Sequence, residues 1–195
     1  MRVLGHFVGA EKWHLRRKVS TGEAGFTLID MLFVVGLIGL IASLSVPGLV
    51  RARGAAQAAS ALGTIRVISS GELSFAISCG LGFYSADLPS LGIAPLGSSE
   101  GFLPDELTGG LTLMKSGYTI SLAGTPALGA PGTCNGLAPG TTAAAFAMVA
   151  DPLDPSGVAA RYFGTNSDGT IYEFSATLSA VMPDSGPPPF GAPIK

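Results

Sequence analysis

Gly25-Phe26-Thr27-Leu28-Ile29-Asp30 opens an apolar run that reaches Val46, with a basic, polar leader before it. A secretory signal peptide places its processing site after the apolar segment. Here a small residue, a large apolar residue and a carboxylate all stand in front of it. A cut at this junction would keep the hydrophobic helix and give a mature chain with an apolar N-terminal spine. As a helix, Phe26–Val46 is about 30 Å long, which matches a bilayer core.

The rest of the chain is built around that segment. At 195 residues the length allows one domain plus an appendage. Hydrophobic residues make up 47% and charged residues 12%, an apolar balance that comes largely from the Phe26–Val46 run. Charge is divided unevenly. Residues 1–25 carry Arg2, Lys12, Arg16, Arg17 and Lys18 against Glu11 and Glu23, whereas the remainder holds six basic and eleven acidic residues. The positive-inside bias keeps a basic front end cytoplasmic and sends an acidic body outward. An acidic body is also a poor general binder of nucleic acid, so no specific nucleic-acid partner is expected.

The sequence predicts five regions: a leader over 1–25, a transmembrane half-helix over 26–46, an amphipathic half over 47–79, a globular head over 80–182 and a Pro-rich tail over 183–195. Pro47-Gly48 interrupts the helical pattern, and a kink or local melting is expected there. Beyond it, Ala55, Ala56, Ala58, Ala59 and Ala61 favour helix strongly. Leu62, Ile65, Ile68, Leu73, Ala76 and Ile77 form an apolar stripe, with Gln57, Ser60, Arg66, Ser69, Ser70 and Glu72 as the polar side. Cys79-Gly80-Leu81-Gly82 ends the helix. A short helical turn fits Leu103–Leu107 behind Pro104. Alternation then marks strands around Tyr118–Leu122 and Ala144–Ala150. Two more, Arg161–Thr165 and Ile171–Ala176, flank the turn sequence Asn166-Ser167-Asp168-Gly169. Pro187-Pro188-Pro189 makes the end an extended tail. The expected fold class is α+β, with a long N-terminal helix packed on a small antiparallel sheet of about four strands.

Few residues offer chemistry. The two histidines, His6 and His14, lie in the leader, so neither a His-based triad nor a zinc site survives a cut after Gly25. No catalytic residue, metal ligand or cofactor is expected, and the chain does not read as an enzyme. Asn166-x-Asp168-Gly169 has a calcium-loop flavour, but Ser175 stands where a bidentate glutamate is needed, and a hairpin turn is the better reading. Arg51 and Arg53 suit lipid headgroups or solvent. Cys79 and Cys134 both lie beyond the membrane segment, and in an oxidising compartment they read as a disulfide, with two buried thiols as the other reading. Asp30 is the sharpest feature. A carboxylate four residues into a membrane helix costs about 2.5–3.5 kcal/mol on insertion scales, so it takes a partner or stays hydrated near the interface. After a cut, the free amine of Phe26 is one of the few cations within reach, in its own chain or a neighbouring subunit.

Residues Gly25, Phe26, Thr27, Leu28 and Asp30, together with Pro47 at the twenty-second position after the cut, resemble the N-terminus of type IV prepilins and pseudopilins. Ala24 stands where that family usually has Lys or Arg, and Asp30 where it has glutamate. The resemblance implies a pilin-like fold and a structural subunit, cleaved after Gly25, N-methylated at Phe26 and polymerised through Phe26, Asp30 and Pro47. Implied partners are identical or related pilin subunits, a prepilin peptidase/methyltransferase, an assembly platform and its ATPase, and the inner membrane before assembly. The implied location is the inner membrane with the head in the periplasm, then an extracellular filament. Two alternatives stand beside this: a pseudopilin of a type II secretion system, and a signal-anchored periplasmic protein that never polymerises.

Overall fold

The computed structural model describes residues 25–157 and 160–194. The chain divides into two units, residues 1–43 and 44–195, and the long helix α1, Leu28–Ser78, contributes to both. In the first unit, Gly25 to Thr27 are non-helical and α1 begins at Leu28. The apolar stretch from Phe26 onward is exposed residue after residue, as far as Arg53. It is long and apolar enough to cross a membrane, and none of the described residues buries it. α1 continues as helix through Pro47, so the local melting expected there is absent. One proline removes a single N–H donor, and Leu44 before it and Leu49, Arg51 and Ala52 after it favour helix, although Gly48 beside it does not.

The second unit is α+β. Beyond α1 come α2 (Leu88–Gly92), α3 (Asp105–Thr108) and six strands. The strands are β1 (Thr112–Lys115), β2 (Tyr118–Pro126), β3 (Ala143–Pro152), β4 (Tyr162–Asn166), β5 (Tyr172–Phe174) and β6 (Ala192–Pro193). They form one antiparallel open sheet in sequence order, each strand paired with the one before it. The sheet thus has two more strands than expected, one at each edge. β1 is mostly exposed and shows no burial alternation, and β6 is two residues long with a proline. Neither leaves a period-2 signal to read. The β1–β2 link is a two-residue turn with Ser116 and Gly117 both at positive φ, which suits the right-handed twist of a hairpin.

One face of the sheet packs on α1. Tyr118, Ile120 and Leu122 of β2, Phe146, Met148 and Ala150 of β3, and Phe163 of β4 meet Ala58, Ala61, Ile65, Ile68 and Phe75 of the helix. The register sets this face, because Ile120 pairs with Ala150 and Ala150 with Phe163. The helix stripe differs from its expected composition. Leu73 and Ile77 are 53% and 77% exposed, whereas Glu72 is wholly buried. Helical geometry explains the exchange: at about 100° per residue, Glu72 returns to within about 20° of Ile65, but Ile77 lies about 120° away. The buried line runs Ala58, Ala61, Ile65, Ile68, Glu72, Phe75, Cys79.

The opposite face is covered by the end of the chain. Leu178 and Met182 pack on Val149, and a Cβ on Gly164 would lie 2.9 Å from Leu178 Cδ1 and 3.0 Å from Met182 Sδ. Asn166, almost fully buried, donates to the carbonyls of Pro183 and Gly186 at 3.2 and 2.6 Å. The Asp168 carboxylate accepts the Gly186 N–H at 2.7 Å, and Phe190 stacks on Phe174. The Pro-rich end is therefore laid over the sheet rather than left as a free tail.

Candidate functional site

The junction flagged by the sequence, Gly25 to Asp30, has a defined local geometry. Thr27 and Asp30 form a reciprocal ring. The Thr27 N–H and hydroxyl both donate to Asp30 Oδ2, at 3.1 and 2.6 Å, and the Asp30 N–H donates to Thr27 Oγ1 at 3.2 Å. This is a capping box with aspartate in the third helical position. It supplies partners for two of the donors that a helix start leaves unpaired. Asp30 therefore has an intrachain partner, and its Oδ2 is occupied within its own chain. The sequence reading takes Thr27 only as part of the family motif, although Thr-x-x-Asp ahead of an apolar run is also the signature of such a box. The Gly25–Phe26 peptide lies outside the helix and is exposed.

Pro47 sits further along the same helix, flanked by exposed apolar residues Val46, Leu49 and Val50. Cys79 and Cys134 are bonded to each other, with Cα atoms 4.9 Å apart. The bridge ties the end of α1 to the loop between β2 and β3. Backbone bonds reinforce it: the Cys134 N–H donates to the Cys79 carbonyl at 3.3 Å, and the Leu96 N–H to the Cys134 carbonyl at 3.4 Å. At the helix end itself, Gly80 and Gly82 donate to the carbonyls of Phe75 and Ala76, with Leu81 in the left-handed region.

Four ionisable groups in the head depart from their ordinary values: Glu72, Tyr118 and Arg161 upward and Glu173 downward. Glu72 has its Oε2 accepting the Ser85 N–H at 2.8 Å, while Oε1 is buried with no hydrogen-bond partner. Burial pushes its carboxyl up to about 8; the Ser85 bond opposes the rise and the nearby Asp87 charge adds to it. The Glu173 carboxylate is hydrogen-bonded by Arg161, which holds it below its ordinary value. Arg161 also lies over the Phe163 ring, 5.4 Å from its centroid, and its carbonyl accepts the Tyr118 hydroxyl at 3.0 Å. That pair ties the residue before β4 to β5. His6 and His14 lie outside the described residues. Among the described residues no three His, Cys, Asp or Glu side chains gather as metal ligands. The Asn166-Asp168 turn is a hairpin turn, with Asn166 Oδ1 accepting the Asp168 N–H at 3.2 Å and Gly169 at positive φ. What the geometry can offer is an exposed apolar helix, an accessible peptide in front of it and a disulfide-closed head.

No family profile, curated protein or solved structure matches this chain.

Proposed function

We propose that this chain is a type IV pilin-like subunit, cut between Gly25 and Phe26, N-methylated at Phe26 and polymerised through α1. The observation that carries the reading is the continuity of α1. Its first half is apolar and unburied, and its second half forms the core of the head. Removing the apolar part after the run, as a secretory signal is removed, would sever α1 in mid-helix. Cutting at Gly25 removes only residues ahead of the helix. The exposed face of α1 adds support. Beyond Arg53 it carries Arg66 as its single charge and is otherwise small, polar or apolar, with Val67, Leu73 and Ile77 open to solvent. Such a face suits close packing against like helices.

In this reading the subunit waits in the inner membrane with its head in the periplasm. An assembly platform and its ATPase withdraw it, and neighbouring helices replace lipid. Asp30 Oδ2 stays with Thr27, and Oδ1 meets the Phe26 ammonium of a neighbouring subunit, which fixes the axial register. N-terminal mass spectrometry of the protein purified from membranes and from sheared filaments tests the claim. A product that starts at Phe26 and carries one added methyl group is expected, and replacing Gly25 by a larger residue should leave the leader attached. An intact leader, or a cut near Ala55, defeats the reading. Loss of exported enzymes with surface filaments intact, on deletion, would assign the chain to a secretion pseudopilus instead.

A further inference from the structure

Glu72 is a carboxyl group in the middle of an apolar helix face, between Ile68 and Phe75, and it is wholly buried. An aliphatic residue would fill that place at lower cost, since a buried carboxylate without a paired cation is strongly disfavoured. The segment it holds, Phe83 to Asp87, is a junction of several elements. Tyr84 exchanges both backbone bonds with Ala143, at 2.8 and 2.9 Å, and the Ala86 carbonyl accepts the Gly124 N–H at 3.0 Å. The Ser85 hydroxyl donates to the Asp87 carbonyl at 2.6 Å, and Asp87 caps α2 by accepting the Ser90 N–H at 3.0 Å. α2 is in turn tied to the disulfide loop, because Asn135 donates to the carbonyls of Ser90 and Ile93. Glu72 to Ser85 is the one side-chain bond from α1 into this junction among those formed by the described residues.

Among the described residues nothing neutralises an ionised Glu72. The charged group that acts on it is Asp87, of like sign, from the loop it holds; Tyr84 on the same loop is uncharged. The segment that abuts α1 at Gly71 presents Phe102 and Leu103, and the sheet ends beside Ser85 present Gly124 and Ala143. On α1 itself, Arg66 is exposed and about 120° away around the helix. We propose that Glu72 is a proton-operated latch: protonated, it clamps Phe83–Asp87 to α1, and ionised, it releases that segment together with α2. The proton leaves to solvent, and no other reactant is needed.

The direction follows from the raised value. With a folded carboxyl near 8 against an ordinary 4.5, the folded chain keeps a proton that the unfolded chain has released between those limits. The latch is therefore strongest below about 4.5 and is lost as pH rises through about 8. This inference is independent of how the leader is processed.

The test is amide hydrogen exchange of residues 83–96 in the full-length chain in detergent micelles, from pH 6 to 9.5, corrected for the intrinsic pH dependence of exchange. Wild-type protection in this segment should fall about tenfold between pH 7 and 9, while β2 and β3 keep theirs. Glu72→Gln keeps the shape and an acceptor for the Ser85 N–H but cannot ionise, so its profile should be flat. Asp87→Asn keeps the α2 cap and removes the like charge, so its midpoint should move to lower pH; this variant decides the matter if Glu72→Gln does not fold. Superimposable wild-type and Glu72→Gln profiles, or an Asp87→Asn midpoint that does not move, overturn the proposal.

Discussion

Breaking the Cys79–Cys134 bridge should weaken the head by a large share of its stability. The bond closes a segment with a sequence separation of 55 residues. Chain-entropy reasoning gives about 4 kcal/mol for a loop of that length, because the crosslink removes open conformations from the unfolded chain. Domains of this size hold roughly 5–15 kcal/mol in total, so about a quarter or more is at stake. The loop that carries Cys134 has little else of its own: short turns such as Ala130 to Gly140 and Thr133 to Leu137, and the Asn135 bonds to α2. For a unit near 150 residues, about 4 kcal/mol corresponds to a fall in Tm of roughly 8–16 °C. Urea and thermal unfolding followed by circular dichroism would measure it, in oxidised protein and in the Cys79→Ser, Cys134→Ser and double variants. Either single change opens the same bridge, so each should cost about as much as both together. A loss under about 1 kcal/mol, or costs that add, would refute the reasoning, since independent residues add and bonded ones do not.

Two further changes probe the layer over the outer face of the sheet. Gly164→Val places a side chain against Leu178 and Met182 and should destabilise by about 1–3 kcal/mol in the same urea assay, through overpacking; an unchanged midpoint would mean that the segment over β4 yields freely. Asn166→Ala removes the two bonds to Pro183 and Gly186 and should cost about 1–3 kcal/mol, with faster proteolysis of residues 183–194 as a second readout.

The parts of the fold that could be read from sequence are those where burial repeats. β2 alternates buried and half-buried positions, β3 carries Phe146 and Met148 on one face, and the β4–β5 hairpin announces itself through Asn166 to Gly169. α1 was visible throughout, from its apolar run and its alanines. Glu72 was misplaced because charge is the usual mark of a solvated face, while its angular position next to Ile65 and Ile68 indicates the opposite. Geometry outweighed residue type there, at the cost of a buried acid. α2 was missed although Asp87 precedes Leu88-Pro89 as a cap; five residues are too few for periodicity to show. The folding-back of residues 178–193 depends on long-range partners, Asn166 and Gly164, that no local pattern discloses. At the junction, the positions of Gly25 and Asp30 were plain, but the ring between Thr27 and Asp30 needed coordinates.

The way the chain's end covers the sheet also bears on synthesis. Because each strand pairs with its predecessor, hairpins can form in the order in which residues emerge, from β1 through β5. The cover over Val149 and Gly164 cannot form in that order, since Leu178 and Met182 follow the strands they cover. A nascent head thus shows one apolar sheet face until residues 178–182 have left the ribosome, which lengthens the time that face is open to aggregation. Ile194 donates its N–H to the Ile171 carbonyl at 2.8 Å, so the edge strand β6 is fixed only after that cover has been made.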